Sequence, residues 1–376
     1  MTPPAIPLSE LADLVVLHAR AQGIDPRACR RVLAGIDSVA GDHRTAWPQA
    51  WTAVGDRHLA AGRHLAACRH YNLARFPFAG DEPRRSAARR CVTAFDAWRR
   101  SRGGIGRLTL ELTGGRVTCW TAGLDRDRPR PLLLVMGGIV SIKEQWAPFL
   151  LAARRLGVSV VVTEMPGVGE NTLRYGPEAT EMIPELLDRL GTRVCAPGVH
   201  VVGLSFAGHL ALAAARDDSR ISSILTVGAP VAGVFADPAV WRTLPRTTTG
   251  TLAHLTRTGP EETRETLAPM ALSPGHLAAL RIPVRYVASR HDEIIPRREW
   301  EILAENVPDL EWVEFDDVHG SPAHLTDTRI WLLRQVMEQL GDRRARLLGA
   351  ALAVRGRSTR GGSTRAGRPT GPLRPR

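Results

Sequence analysis

A serine stands in Gly203-Leu204-Ser205-Phe206-Ala207-Gly208, between the apolar run His200–Leu204 and a helix-like segment, Ala207–Ala215. A serine nucleophile is presented in this way, on a strained strand-to-helix turn where small flanking residues avoid clashes. The helix N-terminus then favours negative charge developing beside it. Ala207 occupies the place where the G-x-S-x-G pattern has its last glycine. The competing reading is a serine that merely caps an ordinary turn.

Such a serine needs a base, and the base needs an orienting acid. Asp292 lies in Ser289-Arg290-His291-Asp292-Glu293, just after the strand-like run Pro283–Ala288. His319 lies in Asp317-Val318-His319-Gly320, just after Trp312–Phe315. Ser205, Asp292 and His319 therefore come in the chain order of serine–acid–histidine hydrolytic sites, each at the C-terminal end of its own strand. Glu293 is a rival for the acid, and His291 and His324 are rivals for the base. Asp316 and Asp317 stand too close to His319 in sequence for the usual orienting acid. Acyl transfer also requires two N–H donors aimed at the oxyanion. The candidates are Phe206, which follows the serine, and Gly138 or Ile139 in the glycine loop after Pro131–Met136.

The elements that must position these groups divide the 376 residues into parts. Residues 1–104 read as helices over Leu8–Gln22, Pro26–Gly35, Ala46–Ala74 and Pro83–Ser101. The third is an amphipathic helix or a helix pair with one copy of a faint tetratricopeptide look, too few for a repeat array. Residues 105–340 change period. A hairpin over Arg107–Leu112 and Arg116–Ala122 precedes the apolar runs Pro131–Met136, Val158–Thr163, His200–Leu204 and Ile221–Val227. These alternate with helical segments at Gln145–Leu156, Pro177–Leu190 and Ala207–Ala215. Continuous apolar strands alternating with helices predict an α/β fold, with a mostly parallel sheet covered on both faces. Residues 231–280 lack strand signals and read as a cap insertion. The sheet then resumes, and Leu325–Leu340 closes it. Residues 341–376, rich in Gly, Ser, Thr, Pro and Arg, are expected to be a disordered tail.

Of the formal charge of +12, the ten arginines from Arg343 to Arg376 supply +10, leaving +2 for the rest. The basicity sits in the tail and no aromatic residues interleave with it, so specific nucleic-acid binding is not expected. Five scattered cysteines without a CxxC pair argue against a disulfide framework and a cysteine metal site. No metal or cofactor is expected. No apolar stretch approaches the ~20 residues of a membrane span, and the first residues carry neither a basic segment nor a cleavage site. A cytoplasmic protein is the expectation.

Three blocks in order carry a resemblance. The runs are Gly137-Gly138-Ile139-Val140-Ser141-Ile142-Lys143-Glu144-Gln145, Met165-Pro166-Gly167-Val168-Gly169-Glu170 and Gly203 through Ala211. Over about residues 45–340 the chain resembles the FrsA-like branch of the α/β hydrolases. That branch includes 2,6-dihydroxypseudooxynicotine hydrolases and fungal pigment enzymes that shorten polyketides, with a helical domain ahead of the hydrolase core. Val140, Gln145 and Met165 depart from the branch's usual aspartate, glutamate and glycine. The resemblance implies attack of Ser205 on an ester, or on a carbonyl of a 1,3-diketone with carbon–carbon cleavage. It implies a bulky, apolar small-molecule substrate under a helical cap, with Glu170, Tyr71, Phe76, Phe78 and Trp241 as rim candidates. Lys143, the sole lysine, is expected to pair with a nearby carboxylate. A homodimer through the helical segment is a further expectation that no residue pattern carries. The alternative function is non-hydrolytic chemistry on the same fold: cyclisation, dehydration or acyl transfer.

Overall fold

The computed structural model describes residues 6–153, 157–358 and 365–367. Five helices come first: α1 (Leu8–Ala21), α2 (Pro26–Leu33), α3 (Trp47–Ala60), α4 (His64–Arg75) and α5 (Glu82–Arg102). Their ends follow local chemistry. The Asp25 carboxylate caps α2 by accepting from the Arg27 and Ala28 N–H groups, with Pro26 at the first helical position. Asp81 caps α5 by accepting from Arg84 N–H at 2.8 Å. In α1, Leu11, Val15 and Ala19 recur every four residues and are buried. They pack with Trp47, Trp51, Leu73 and Phe76 in a cluster of their own, and Trp47 Nε1 donates to the Leu73 carbonyl at 2.9 Å.

Among the described residues nine strands follow: β1 (Gly106–Leu112), β2 (Gly115–Ala122), β3 (Arg130–Met136), β4 (Ser159–Thr163), β5 (Val194–Leu204), β6 (Ile221–Val227), β7 (Val284–Ser289), β8 (Leu310–Phe315) and β9 (Arg365–Gly367). They form one sheet in the order β1-β2-β4-β3-β5-β6-β7-β8-β9. Pairing is parallel from β4 through β8, while β1, β2 and β9 join antiparallel. Every residue of β4 and β7 is buried, which is why Val160–Val162 of β4 reads as an unbroken apolar run, while β7 carries Arg285, buried and paired with Asp309 at 3.0 Å. The N-terminal helices are not walled off from this sheet. Phe95 and Trp98 of α5 share its core, and the Phe95 ring lies 4.9 Å from that of Trp120 in β2.

Two expectations are corrected. The single helix over Gln145–Leu156 is instead two short helices, Lys143–Trp146 and Leu150–Ala153, joined by a tighter turn at Ala147–Phe149. Pro148 lacks an N–H and its ring crowds the preceding turn, which breaks a continuous helix; residues 154–156 lie outside the described residues. The tail is also more ordered than its composition predicts. Ala345–Ser358 is helical and Arg365–Gly367 adds β9 to the edge of β8. The stretch Ala345–Val354 is rich in Ala and Leu, both strong helix formers, and Leu352 packs against a small cluster containing Val313 and Trp331. The rest of the tail lies outside the described residues.

Residues 231–280 form only helices and turns, including Pro238–Thr243, Arg246–Thr256 and Pro260–Leu267. The entry to this insertion is fixed by buried Glu299. Its carboxylate accepts from the N–H groups of Val231, Ala232 and Val234 at 2.6, 2.8 and 2.9 Å. α1 also reaches the insertion: Glu10 accepts from Thr247 N–H at 2.6 Å, in the first turn of Arg246–Thr256. Among the described residues no helix is long and apolar enough to cross a membrane.

Candidate active site

β5 ends at Leu204 and a helix starts at Phe206, so the chain reverses on Ser205 alone. Its φ of 55° and ψ of −130° lie where a side chain is strained, at a cost of order 1–3 kcal/mol. Two glycines make the turn possible. A Cβ on Gly203 would come within 2.6 Å of the Ala207 carbonyl oxygen, and one on Gly208 within 2.1 Å of Thr226 Oγ1. Ala207 is fully buried without such a conflict. The tight glycine is therefore Gly208, which explains why the alanine is tolerated.

The loops after β7 and β8 bring the other two groups to this turn. His319 Nε2 lies 3.1 Å from Ser205 Oγ, and His319 Nδ1 lies 2.9 Å from both oxygens of Asp292. Nδ1–H donating to the carboxylate leaves Nε2 as the acceptor for the serine hydroxyl. Asp292 is held in turn: its Oδ1 accepts from the N–H groups of Ile294 and Ile295 at 3.0 and 2.7 Å. Burial alone would lower the His319 pKa. The Asp292 charge and hydrogen bond, with Glu293 nearby, outweigh it and raise the pKa above 6.5.

The rivals have other partners. Glu293 accepts from the backbone N–H of His319 at 3.0 Å, so it fixes the loop rather than the ring. His291 faces Asp316 at 2.8 Å on the surface, and His324 pairs with Asp317 at 3.0 Å and stacks on Phe315.

Gly138 runs against the serine: a Cβ there would lie 2.9 Å from Ser205 Cβ and 3.5 Å from its Oγ. The Gly138 carbonyl accepts from Ser141 N–H at 3.0 Å, closing the loop into a turn. Phe206 opens its helix, and the first N–H groups of a helix have no partner within it. Ile139, the third candidate, is buried beside Gly138 and lines the same cavity. The N-terminal helices grip this loop through buried Arg75, which donates to the Val140 and Pro77 carbonyls and to Asn72.

A cavity of about 210 Å³ opens onto Ser205 and His319. Among the predicted rim residues, Phe76 lines it and four do not. Tyr71 is buried among the helices, its hydroxyl donating to Asp56 at 2.6 Å. Phe78 stacks on His254 in a separate cleft. Trp241 packs against the sheet's core from the insertion. Glu170 lies in a charge cluster around Lys143. Their aromatic or acidic character gave no information on direction. The cavity is instead walled by Leu14, Leu17, His18 and Ala21 of α1, with Thr247, Thr328 and Leu332. The available signal was in α1, where Leu14, Leu17 and Ala21 make a second apolar stripe beside the Leu11–Val15–Ala19 face. A wider cleft of about 790 Å³, lined by Arg216, Asp217 and His276 among others, touches none of Ser205, Asp292 and His319.

Behind the glycine loop, fully buried Lys143 lies 3.0, 3.2 and 2.8 Å from carboxylate oxygens of Glu144, Glu164 and Glu170, the pairing expected for the sole lysine. Burial lowers the lysine's pKa, but the three carboxylates outweigh it and raise it. Burial pushes the Glu164 carboxyl up to about 7 despite the opposing Lys143 charge. Glu164 accepts from Lys143 N–H and Glu170 N–H at 3.1 and 3.0 Å, tying the two family-like blocks together.

A family model described as the alpha/beta hydrolase family matches residues 132–356. Esterase FrsA of Vibrio vulnificus is 22% identical over 256 residues, covering 60% of this chain and 61% of that protein. Esterase FrsA of Vibrio cholerae is likewise 22% identical, over 257 residues and the same shares. The chain thus spans about three fifths of the length of the curated relatives it matches. Among solved structures, AbyA5 is 46% identical with a TM-score of 0.88, covering 92% of this chain and 99% of that one. A 2,6-dihydroxy-pseudo-oxynicotine hydrolase shares the fold at 19% identity and a TM-score of 0.70, covering 87% and 97%. The family match takes in more than half of the residues, from β3 to the helix that starts at Ala345, and on that ground the chain belongs to the alpha/beta hydrolase family.

Proposed function

We propose that the chain is a serine hydrolase with Ser205 as nucleophile, His319 as base and Asp292 as orienting acid. It acts on an ester, or on a carbon–carbon bond of a 1,3-diketone-type substrate. The observation that carries this reading is the unbroken hydrogen-bonded chain from Ser205 Oγ through His319 to Asp292 on a strained turn. Ser205 Oγ forms a bond to the carbonyl carbon while its proton passes to His319 Nε2. The oxyanion is met by N–H groups of Phe206 and the Gly138–Ile139 loop. The C–O bond then breaks, and the leaving alcohol takes the proton from His319. In the carbon–carbon case the leaving carbanion, stabilised as an enolate, takes that proton. Water, deprotonated by His319, releases the acyl group.

The mostly apolar walls support an apolar substrate. A cavity of about 210 Å³ is smaller than the ~300–1,000 Å³ of sites for drug-sized ligands. It takes a short acyl group with α1 in place.

The test is a fluorophosphonate probe read by intact mass on the wild type and Ser205→Ala. A single adduct on the wild type, absent from the variant, is expected. Folded wild type that takes no adduct removes the activated serine and favours non-hydrolytic chemistry on this fold. The pH profile provides a second check. His319 must be neutral to accept the proton, and its pKa is raised. Short-chain ester hydrolysis should therefore fall as pH drops, along a limb centred above pH 6.5. Asp292→Asn removes the main group that raises the pKa and should move that limb to lower pH.

A further inference from the structure

Within the cavity of Ser205, one ring from α1 is unassigned by the mechanism above. His18 lines the cavity with Ser205, Phe206 and His319. It keeps accessible surface although protein encloses it, as a side chain facing an internal cavity does. The ring leans on Phe76, with centroids 4.9 Å apart and planes inclined by 51°. Among the described residues its ring nitrogens have no hydrogen-bond partner. Burial, followed by the positive charges of Arg75 and His319, holds its pKa down to about 4. With no carboxylate to charge it, the ring is a neutral imidazole, offering one N–H donor and one acceptor.

Two threonines lining the same cavity carry hydroxyls that share this lack of partners. Thr247 Oγ1, from the insertion, and Thr328 Oγ1, from the helix Leu325–Gln339, are buried without a hydrogen bond in the structure. Their residues are only 2% and 5% exposed. Buried polar groups without partners carry a desolvation penalty, which a ligand oxygen relieves. The charged groups on the same walls are engaged: Arg329 donates to the Ala21 carbonyl at 2.7 Å, and Glu293 accepts from the His319 backbone. His18, Thr247 and Thr328 are thus neutral hydrogen-bonding side chains on these walls without a partner among the described residues.

We propose that His18, with Thr247 and Thr328, forms a polar subsite that hydrogen-bonds a neutral oxygen function of the substrate, so that acyl groups bearing a ketone oxygen are taken in preference to plain hydrocarbon chains of the same length. This subsite rests on the hydrolytic reading of Ser205. It makes the N-terminal helix a contributor to specificity as well as a cover.

The experiment compares kcat/KM for 4-nitrophenyl 4-oxopentanoate and 5-oxohexanoate with the pentanoate and hexanoate, each corrected for its spontaneous hydrolysis. The wild type should prefer at least one keto ester by roughly tenfold. His18→Leu should reduce that ratio to within about twofold. His18→Gln, which keeps a donor, should retain more of it, and Thr328→Val should lower it by a smaller factor. Fluorophosphonate labelling of Ser205 in each variant shows that the site is folded. Wild type that labels but shows no keto preference, or a preference that survives both His18→Leu and Thr328→Val, overturns the subsite. Wild type that neither labels nor turns over any of the esters overturns the hydrolytic reading, and the subsite with it.

Discussion

His319→Ala is expected to slow hydrolysis of 4-nitrophenyl butyrate on the order of 10⁶-fold, and adding Ser205→Ala to it should cost almost nothing more. The reason is geometric. Ser205 Oγ and His319 Nε2 are 3.1 Å apart, so each works only through the other, and removing either leaves what the oxyanion donors and binding supply. Asp292→Asn should be milder, on the order of 10⁴-fold, because it disturbs the tautomer rather than removing the base. The check is steady-state kinetics of the two single variants and the double variant. Additive losses, with the double variant far below either single one, would show that the residues do not act as one unit. An active Ser205→Ala would place the chemistry elsewhere in the cavity.

The second large effect concerns stability. Lys143→Met should lower stability by about 3–5 kcal/mol, since breaking a buried ion pair leaves an uncompensated charge. Lys143 faces three carboxylates and is itself fully buried. For a chain of 376 residues that is a fall in Tm of about 4–6 °C. The loss should depend on pH in a definite direction. The Glu164 carboxyl is raised from 4.5 to about 7 in the folded protein, so the folded state holds a proton that the unfolded chain releases. Its contribution is complete below pH 4.5 and is lost as pH rises towards 7. Without the lysine the carboxylates repel one another more strongly, so the Tm gap between wild type and variant should be wider at pH 8 than at pH 5. Thermal melts at the two pH values measure it. A gap that is the same at both, or wider at pH 5, would show that the cluster does not carry the charge described.

Local sequence carried much of the frame. Ile221–Val227 is a strand over the span its apolar run marks, and β3, β4, β7 and β8 differ from their runs only at the ends. Strands buried on both faces leave a signal that needs no knowledge of their neighbours. The elbow was legible because its requirement for small residues is confined to a few positions. The order of Ser205, Asp292 and His319 was legible because each follows its own strand.

Other features were decided by neighbours distant in sequence. Tyr71, Phe78 and Trp241 carried the right chemistry for a cavity rim, but the direction of an aromatic side chain is set by the elements packed around it. The helix Ala345–Ser358 lay in a segment whose arginine-rich composition masked its Ala and Leu. Chain order favoured Asp292 over Glu293 and His319 over His291 and His324, but what each rival pairs with instead is set by distances that no window of sequence contains. The same holds for His18, which joins Ser205 and His319 only because α1 folds back over the C-terminal ends of β5 and β8. The sequence by itself determined which residues could react and which segments could be strand or helix, because these depend on short-range sterics and on burial averaged over a few positions. The tertiary structure alone decided which of those residues meet, which carboxylates crowd onto Lys143 and which walls enclose the serine. Those outcomes depend on long-range packing that brings residues hundreds of positions apart within hydrogen-bonding reach.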